Sequence, residues 1–309
     1  MSSVSNALLD RIVLGLWPIA GVTTIGVTAD DAEATMQTAI DGGIRSFDTA
    51  YSYGYEGESD RLLGRFIGND RQSFRVLGKV GQRWDGDRCR VVDGSKAQLI
   101  ADARESLDRL QSDYFDVLFF HQPDPKVAIE LSAEAFAEMK SAKLCRSVGI
   151  CNASVDQIER FNAVVDVDAV QAPLNYIQNE EQTDFVRTNS DRSRLVFVFW
   201  TLMKGLLAGT ITRSYEFEAG DSRPGYPIFQ QPMRSRVHDV LDSLERVAKS
   251  EELSLAQLAI GWALAQPGVS GTLVGARRES QVRDLLGTKL PSQRLLNEIR
   301  ESVCRHMKT

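Results

Sequence analysis

Short apolar runs alternate with longer stretches in which apolar positions recur every three or four residues, from Ile12 almost to Leu286. The runs fit buried strands, and the three-to-four spacing fits helices that hide one face. Eight strands are predicted: Ile12 to Leu16, Ile44 to Phe47, Arg75 to Gly78, Val117 to Phe120, Ser147 to Ile150, Ala169 to Gln171, Leu195 to Phe199 and Gly271 to Val274. Helices are predicted for Ala32 to Asp41, Ser59 to Phe66, Lys96 to Leu110, Val127 to Ser141, Val155 to Ala163, Glu181 to Asn189, Arg234 to Ser250 with Leu255 to Ala265, and Glu279 to Leu286. Ser95 and Ser154 stand where N-caps are expected.

Strand followed by helix, repeated eight times, closes most simply as a (β/α)8 TIM barrel. A doubly wound sheet is the competing arrangement, and it would carry G-x-G-x-x-G after the first strand. Gly15-Leu16-Trp17-Pro18 occupies that place, so a single barrel domain over residues 1–309 is the expectation. Residues 209–232 follow neither period and contain Tyr215, Phe217, Tyr226, Phe229 and three prolines. Loops of that length in compact domains are usually lids or binding loops, and a substrate loop is expected here.

A chain of 309 residues with 43% apolar and 25% charged side chains has enough material for one large core. The balance of 36 basic against 42 acidic groups, with no polybasic run, argues against a nucleic-acid partner. Cys89, Cys145, Cys151 and Cys304 form no C-x-x-C pair, and with three histidines they assemble no zinc spacing. The apolar stretch 12–27 is broken by Gly15, Pro18, Gly21 and Gly26, which suits neither a signal segment nor a membrane span. A cytoplasmic enzyme with reduced thiols and no metal is expected.

Barrel enzymes place their reactive groups just past the C-terminal ends of the strands. Asp48 and Tyr53 follow the second predicted strand, Lys79 ends the third and His121 ends the fourth. An ammonium beside a phenol favours phenolate, so Lys79 is expected to lower the Tyr53 pKa towards neutrality, with Asp48 holding Lys79 charged. His121 is placed to orient a carbonyl oxygen or relay a proton. Each residue alone has a structural explanation as a turn cap, a surface amine or a core histidine. Compatible partners at three neighbouring strand ends are a rarer coincidence.

Asp48-Thr49-Ala50-x-x-Tyr53-Gly54, Lys79, and Asp116 to His121 running into Gln122-Pro123-Asp124 resemble the signatures of the aldo-keto reductase family. The likeness is to its aryl-alcohol dehydrogenase-like and potassium-channel β-subunit-like branch, and it extends from Gly15 to about Leu286. It implies that Asp48, Tyr53, Lys79 and His121 form a catalytic tetrad in which Tyr53 protonates an aldehyde or ketone being reduced. Tyr51 and Tyr55 share the alternation, but only Tyr53 precedes a glycine.

The same resemblance implies NADPH as coenzyme. Asn152 and Gln171 then hold the nicotinamide carboxamide. The stretch Phe199-Trp200-Thr201-Leu202-x-Lys204-Gly205 supplies a stacking ring, Phe199 or Trp200, and a pyrophosphate cradle. Gly275, Arg277 and Gln281 hold the adenosine phosphate, where a helix N-terminus beside a guanidinium suits an anion. Cys151 in place of serine, Thr201 in place of proline and Leu285 in place of asparagine depart from the family pattern. Trp17, Trp84 and the aromatics of residues 215–229 are expected to line an apolar substrate cavity. Two other readings use the same residues: an NADPH-binding redox-sensing or regulatory barrel with little turnover, and an aldolase that forms a Schiff base at Lys79.

Overall fold

The computed structural model describes residues 7–21 and 24–307. Its strands are β1 (Ile12–Gly15), β2 (Ser46–Asp48), β3 (Arg75–Val80), β4 (Gln82–Trp84), β5 (Arg90–Val92), β6 (Phe115–Phe120), β7 (Cys145–Cys151), β8 (Ala169–Pro173), β9 (Leu195–Phe199) and β10 (Gly271–Gly275). Eight of them close into a parallel barrel in the order β1-β10-β9-β8-β7-β6-β3-β2. All eight predicted strands are present; five are longer than predicted, by up to three residues, one is unchanged and two are shorter. The β2 strand starts two residues later than expected, because Arg45 spends its guanidinium on the carbonyls of Ile40 and Ile44 at the turn before it.

Strand alternation sorts the barrel into two apolar layers. Val13, Leu77, Val117, Phe119, Cys151 and Ala169, with Phe197 and Leu273 against them, form the cluster inside the barrel. Their neighbours Ile12, Leu14, Phe47, Val76, Leu118, Phe120, Val148, Ile150, Val170, Val196 and Val198 belong to the core under the surrounding helices. The interior is tight: a Cβ on Gly149 would lie 2.3 Å from the Phe119 ring, so glycine there makes room for the phenyl. The same parity that sends Leu77, Val117, Phe119 and Ala169 inward also directs Lys79, His121 and Gln171 towards the axis at the C-terminal end.

The predicted helices also form, with ends shifted by up to three residues. Ser154 caps its helix with a reciprocal bond to Gln157, and two unforeseen capping boxes, Thr28 with Asp31 and Ser254 with Gln257, do the same. Ser95 occupies an N-cap position, yet its side chain accepts no cap hydrogen bond; its residue at N3, Gln98, turns instead to Asp102. Besides short 3-10 helices, two elements were not anticipated. One is the antiparallel β4–β5 pair, although Asp85-Gly86 is a recognisable turn signal. The other is the helix Gln293–Met307, whose narrow buried stripe of Leu295, Ile299 and Ser302 is diluted by charge. No helix among the described residues is long and apolar enough to cross a membrane.

Candidate active site

The barrel mouth is assembled by main-chain bonds that continue the strand register one step past the strands. Thr49 N donates to Leu77 O at 2.9 Å, Tyr51 N to Lys79 O at 2.9 Å, and His121 N to Val80 O at 2.8 Å. Tyr53 sits on the tight turn that follows, where its N–H bonds Ala50 O at 2.9 Å. Gly54 takes φ +101° there, a conformation that side chains strain to adopt, and a Cβ would meet Glu58.

Asp48, Tyr53, Lys79 and His121 come together. Lys79 Nζ donates to Asp48 Oδ1, to the Tyr53 hydroxyl at 3.1 Å and to Thr49 O at 3.2 Å. The Tyr53 hydroxyl also lies 3.4 Å from Asp48 Oδ1, and its ring meets His121 edge-on at 6.0 Å between centroids. Of the other two tyrosines in the run, Tyr51 donates to Glu105 at 2.8 Å and Tyr55 packs on Trp84 at 5.0 Å. Neither joins the cluster.

The electrostatics of this cluster follow from its burial. Taking Lys79 out of water disfavours its ammonium, but Asp48 first, then Tyr53 and Cys151, more than offset that and hold Lys79 above the usual lysine range. His121 goes the other way: burial, then the charges of Lys79 and Arg90, keep its imidazole well below the ordinary value. A neutral imidazole carries a single N–H, and Nδ1 has no partner among the described residues. Tyr53 corrects the expectation of a near-neutral phenol. It keeps partial access from the mouth, yet the desolvation of its hydroxyl outweighs the pull of Lys79, and its pKa is pushed up to about 12.

A groove of about 420 Å³ opens on these four residues and runs across the mouth towards β10. Its walls include Asn152, Gln171, Phe199, Trp200, Thr201, Leu202, Lys204, Gly205, Gly275, Arg277 and Gln281, which is every residue that the resemblance implied for the coenzyme. Asn152, with φ +53°, spends one amide proton on His121 O at 2.9 Å. Gln171 donates to Asp48 Oδ2 at 2.9 Å and accepts from Cys151 Sγ at 3.2 Å. Phe199 and Trp200 both face the groove, and Trp200 also packs on Tyr226 at 5.3 Å. Thr201 is buried with its hydroxyl 2.8 Å from that of Thr272. Lys204 and Gly205 have φ of +52° and +93°, which turns the main chain sharply along the groove. Gln281 accepts from Arg277 N at 2.8 Å, and no carboxylate among the described residues lies within ion-pair distance of the Arg277 guanidinium. A long groove with an aromatic wall at the reacting end and an unpaired guanidinium at the other suits a dinucleotide phosphate.

A larger groove of about 1060 Å³ lies on the flank under the helix Gln293–Met307, shares only Trp200 with the first, and holds none of the four reacting groups. The expected aromatic wall is only partly present. Trp17 lines the mouth, but Trp84 does not; its Nε1–H bonds Ser52 O at 3.0 Å beside Tyr55. In the loop 209–232, Tyr215, Phe217 and Phe229 pack on one another and on the core, and the loop presents Asp221, Ser222 and Arg223 to the groove instead. The aromatics hold that loop together, with Arg223 and Arg234 over the Phe217 ring at 5.1 and 5.2 Å. Sequence patterning also passed over Arg90, next to Trp17 and Trp84, and the buried Asp60 under Thr49; the Arg90–Trp17 and Asp60–Ser106 contacts join segments distant in the chain.

A family model described as the aldo/keto reductase family matches residues 11–294. The chain is 32% identical over 279 residues to aldo-keto reductase YhdN of Bacillus subtilis, covering 89% of this chain and 84% of that protein. It is 27% identical over 296 residues to an NADH-specific methylglyoxal reductase of Escherichia coli, covering 91% and 90%. The solved structure of the glycerol dehydrogenase AKR11B4 from Gluconobacter oxydans superposes with a TM-score of 0.89 at 28% identity, covering 97% of this chain and 93% of that one.

Proposed function

Because this chain belongs to the aldo/keto reductase family, whose members are oxidoreductases that use nicotinamide coenzymes, we propose that it reduces an aldehyde or ketone to an alcohol, reversibly, with NADPH. The observation that carries this reading is the Tyr53 hydroxyl, 3.1 Å from the Lys79 ammonium and beside a neutral His121 at the mouth of the groove.

Bound reduced nicotinamide supplies a hydride to the carbonyl carbon. Tyr53 gives its proton to the carbonyl oxygen, and Lys79 stabilises the phenolate left behind. Asp48 keeps Lys79 cationic, and Gln171 holds the second oxygen of Asp48. The single N–H of His121 donates to the same substrate oxygen and orients it. Asn152 and Gln171 keep one amide proton each for the nicotinamide carboxamide, and Phe199 or Trp200 offers its ring a flat face. Thr201, Leu202, Lys204 and Gly205, on the groove wall, would hold the pyrophosphate of a bound coenzyme. Gly275, Arg277 and Gln281 receive the adenosine phosphate, which favours NADPH. The loop 209–232 borders the groove through Asp221, Ser222 and Arg223, with Arg223 near Arg277. Two of the similar proteins are named for small oxygenated compounds, methylglyoxal and glycerol, consistent with a carbonyl and alcohol pair. A lysine held as ammonium is a poor Schiff-base nucleophile, so the geometry disfavours an aldolase.

The test is Tyr53→Phe with an aromatic aldehyde and NADPH. Turnover should fall by about 10²–10⁴-fold, the scale of a lost proton donor, while NADPH still quenches tryptophan fluorescence. Unaltered turnover would sink the assignment.

A further inference from the structure

Arg90 stands between two indoles. Its guanidinium carbon is 4.5 Å from the Trp17 ring centroid and 4.8 Å from that of Trp84. The register of the β4–β5 hairpin sets this up, since Arg90 pairs directly with Trp84. Both rings are themselves fixed: Trp17 meets Tyr53 edge-on at 5.0 Å, and Trp84 is tied to Ser52 O and packs on Tyr55. Arg90 is thus one aromatic ring removed from the phenol at the centre of the cluster.

Three cations near the mouth have carboxylate partners, whereas Lys204 and Arg277 on the groove wall have none among the described residues. Lys79 is paired with Asp48, Arg223 with Asp221 at 2.5 Å, and Arg83 reaches Asp102 at 4.0 Å. Among the described residues no carboxylate lies within ion-pair distance of Arg90, and its side chain donates no hydrogen bond. The neighbouring Arg88 lies over Tyr55 at 4.5 Å and adds positive charge to the same hairpin. Arg90 keeps access to solvent, and its charge reaches His121.

The two indoles beside it hold the guanidinium by cation–π attraction and restrain it from folding onto the surface. These contacts use none of its N–H donors, which form a fork that matches a carboxylate. A single guanidinium edge suits a monoanion rather than a phosphate dianion. We propose that Arg90 is a substrate-recognition residue that selects carbonyl compounds bearing a carboxylate away from the reacting carbonyl, so that the substrate class is an oxo acid. This rests on the reductase reading of the site: the carbonyl goes to Tyr53 and His121, and the carboxylate goes to Arg90 beyond Trp17.

The experiment compares 4-carboxybenzaldehyde with its methyl ester, using the full-length protein and saturating NADPH. In the wild type kcat/KM should favour the acid by about tenfold or more, mainly through KM, and the preference should shrink as salt is raised. R90Q should bring the ratio close to one, and R90K should fall between, because a point charge replaces the fork. A wild-type ratio near or below one, or a ratio that survives in R90Q, overturns the proposal while leaving the reductase reading in place. Turnover of neither aldehyde overturns the reductase reading, and the carboxylate site is then decided by binding alone. Without turnover, terephthalate binding followed by tryptophan fluorescence should weaken about tenfold in R90Q; equal binding overturns the proposal.

Discussion

The Lys79 ammonium lies 3.1 Å from the Tyr53 hydroxyl without making that phenol acidic. Burial of the hydroxyl acts first and pushes the pKa up to about 12; Lys79 pulls it down, and Asp48 beside it pushes it up again. A lysine that stays charged next to a phenol that stays protonated is a proton donor throughout the neutral range. In the proposed reaction the charge of Lys79 has its use after transfer, when phenolate appears.

The pH dependence of the two directions should therefore differ. Reduction needs the protonated phenol and should stay flat between about pH 6 and 9. Alcohol oxidation needs the phenolate, so its kcat should climb by about tenfold per unit over the same range, well below the phenol pKa. Paired steady-state profiles measure both. A reduction rate that collapses near neutrality would point to a different acid.

Asp60 offers a stability experiment. It is fully buried beneath the site, where Thr49 Oγ1 donates to it at 2.5 Å, Ser106 also donates, and Thr49 O in turn accepts from Lys79. Burial raises its pKa from the ordinary aspartate value of about 3.9 to about 6 in spite of those bonds. Between these values the folded state binds the extra proton, so the contribution of Asp60 to stability is greatest at low pH and falls as pH rises to about 6. Asp60→Asn removes that dependence. In urea unfolding, the variant should gain on the wild type between pH 4 and 7 by on the order of 3 kcal/mol. Asp102 and His121 titrate in both proteins and cancel in the difference. A difference that does not change with pH would show that Asp60 is not the titrating group.

Coenzyme choice is the third question, sharpened by a relative named as NADH-specific. Arg277 is half-buried at the far end of the groove without a carboxylate partner, where burial and then the charge of Arg223 disfavour its own. A phosphate there relieves both guanidinium groups. Arg277→Met should weaken NADPH binding by about tenfold or more, the scale of a charge-assisted hydrogen bond, and NADH binding much less. Fluorescence titration with each coenzyme reads the two constants. Equal weakening of both would remove Arg277 from phosphate recognition.

The strands were legible because buried barrel strands are continuous apolar runs, whichever partner they pair with. The candidate site residues were legible because each lies within a few positions of such a run, at the strand end where a barrel collects chemistry. The loop 209–232 was recognisable as an excursion but not in what it presents: its aromatic composition suggested a pocket wall, and the rings pack on one another and on the core while Asp221, Ser222 and Arg223 face the groove. The β4–β5 hairpin and the helix Gln293–Met307 were missed because three-residue strands and a stripe of few apolar residues carry little periodic signal.

By itself the sequence determined the order of strands and helices, the barrel that this order closes, and which polar groups end up at one mouth. All of that depends on periodicity and on position relative to the strands, which are local properties. Only the tertiary structure decided the protonation of Tyr53, since desolvation depends on everything packed around the hydroxyl, and only it left Arg90 between Trp17 and Trp84 without an acidic partner. Those are sums over residues far apart in the chain, and no spacing along it encodes them.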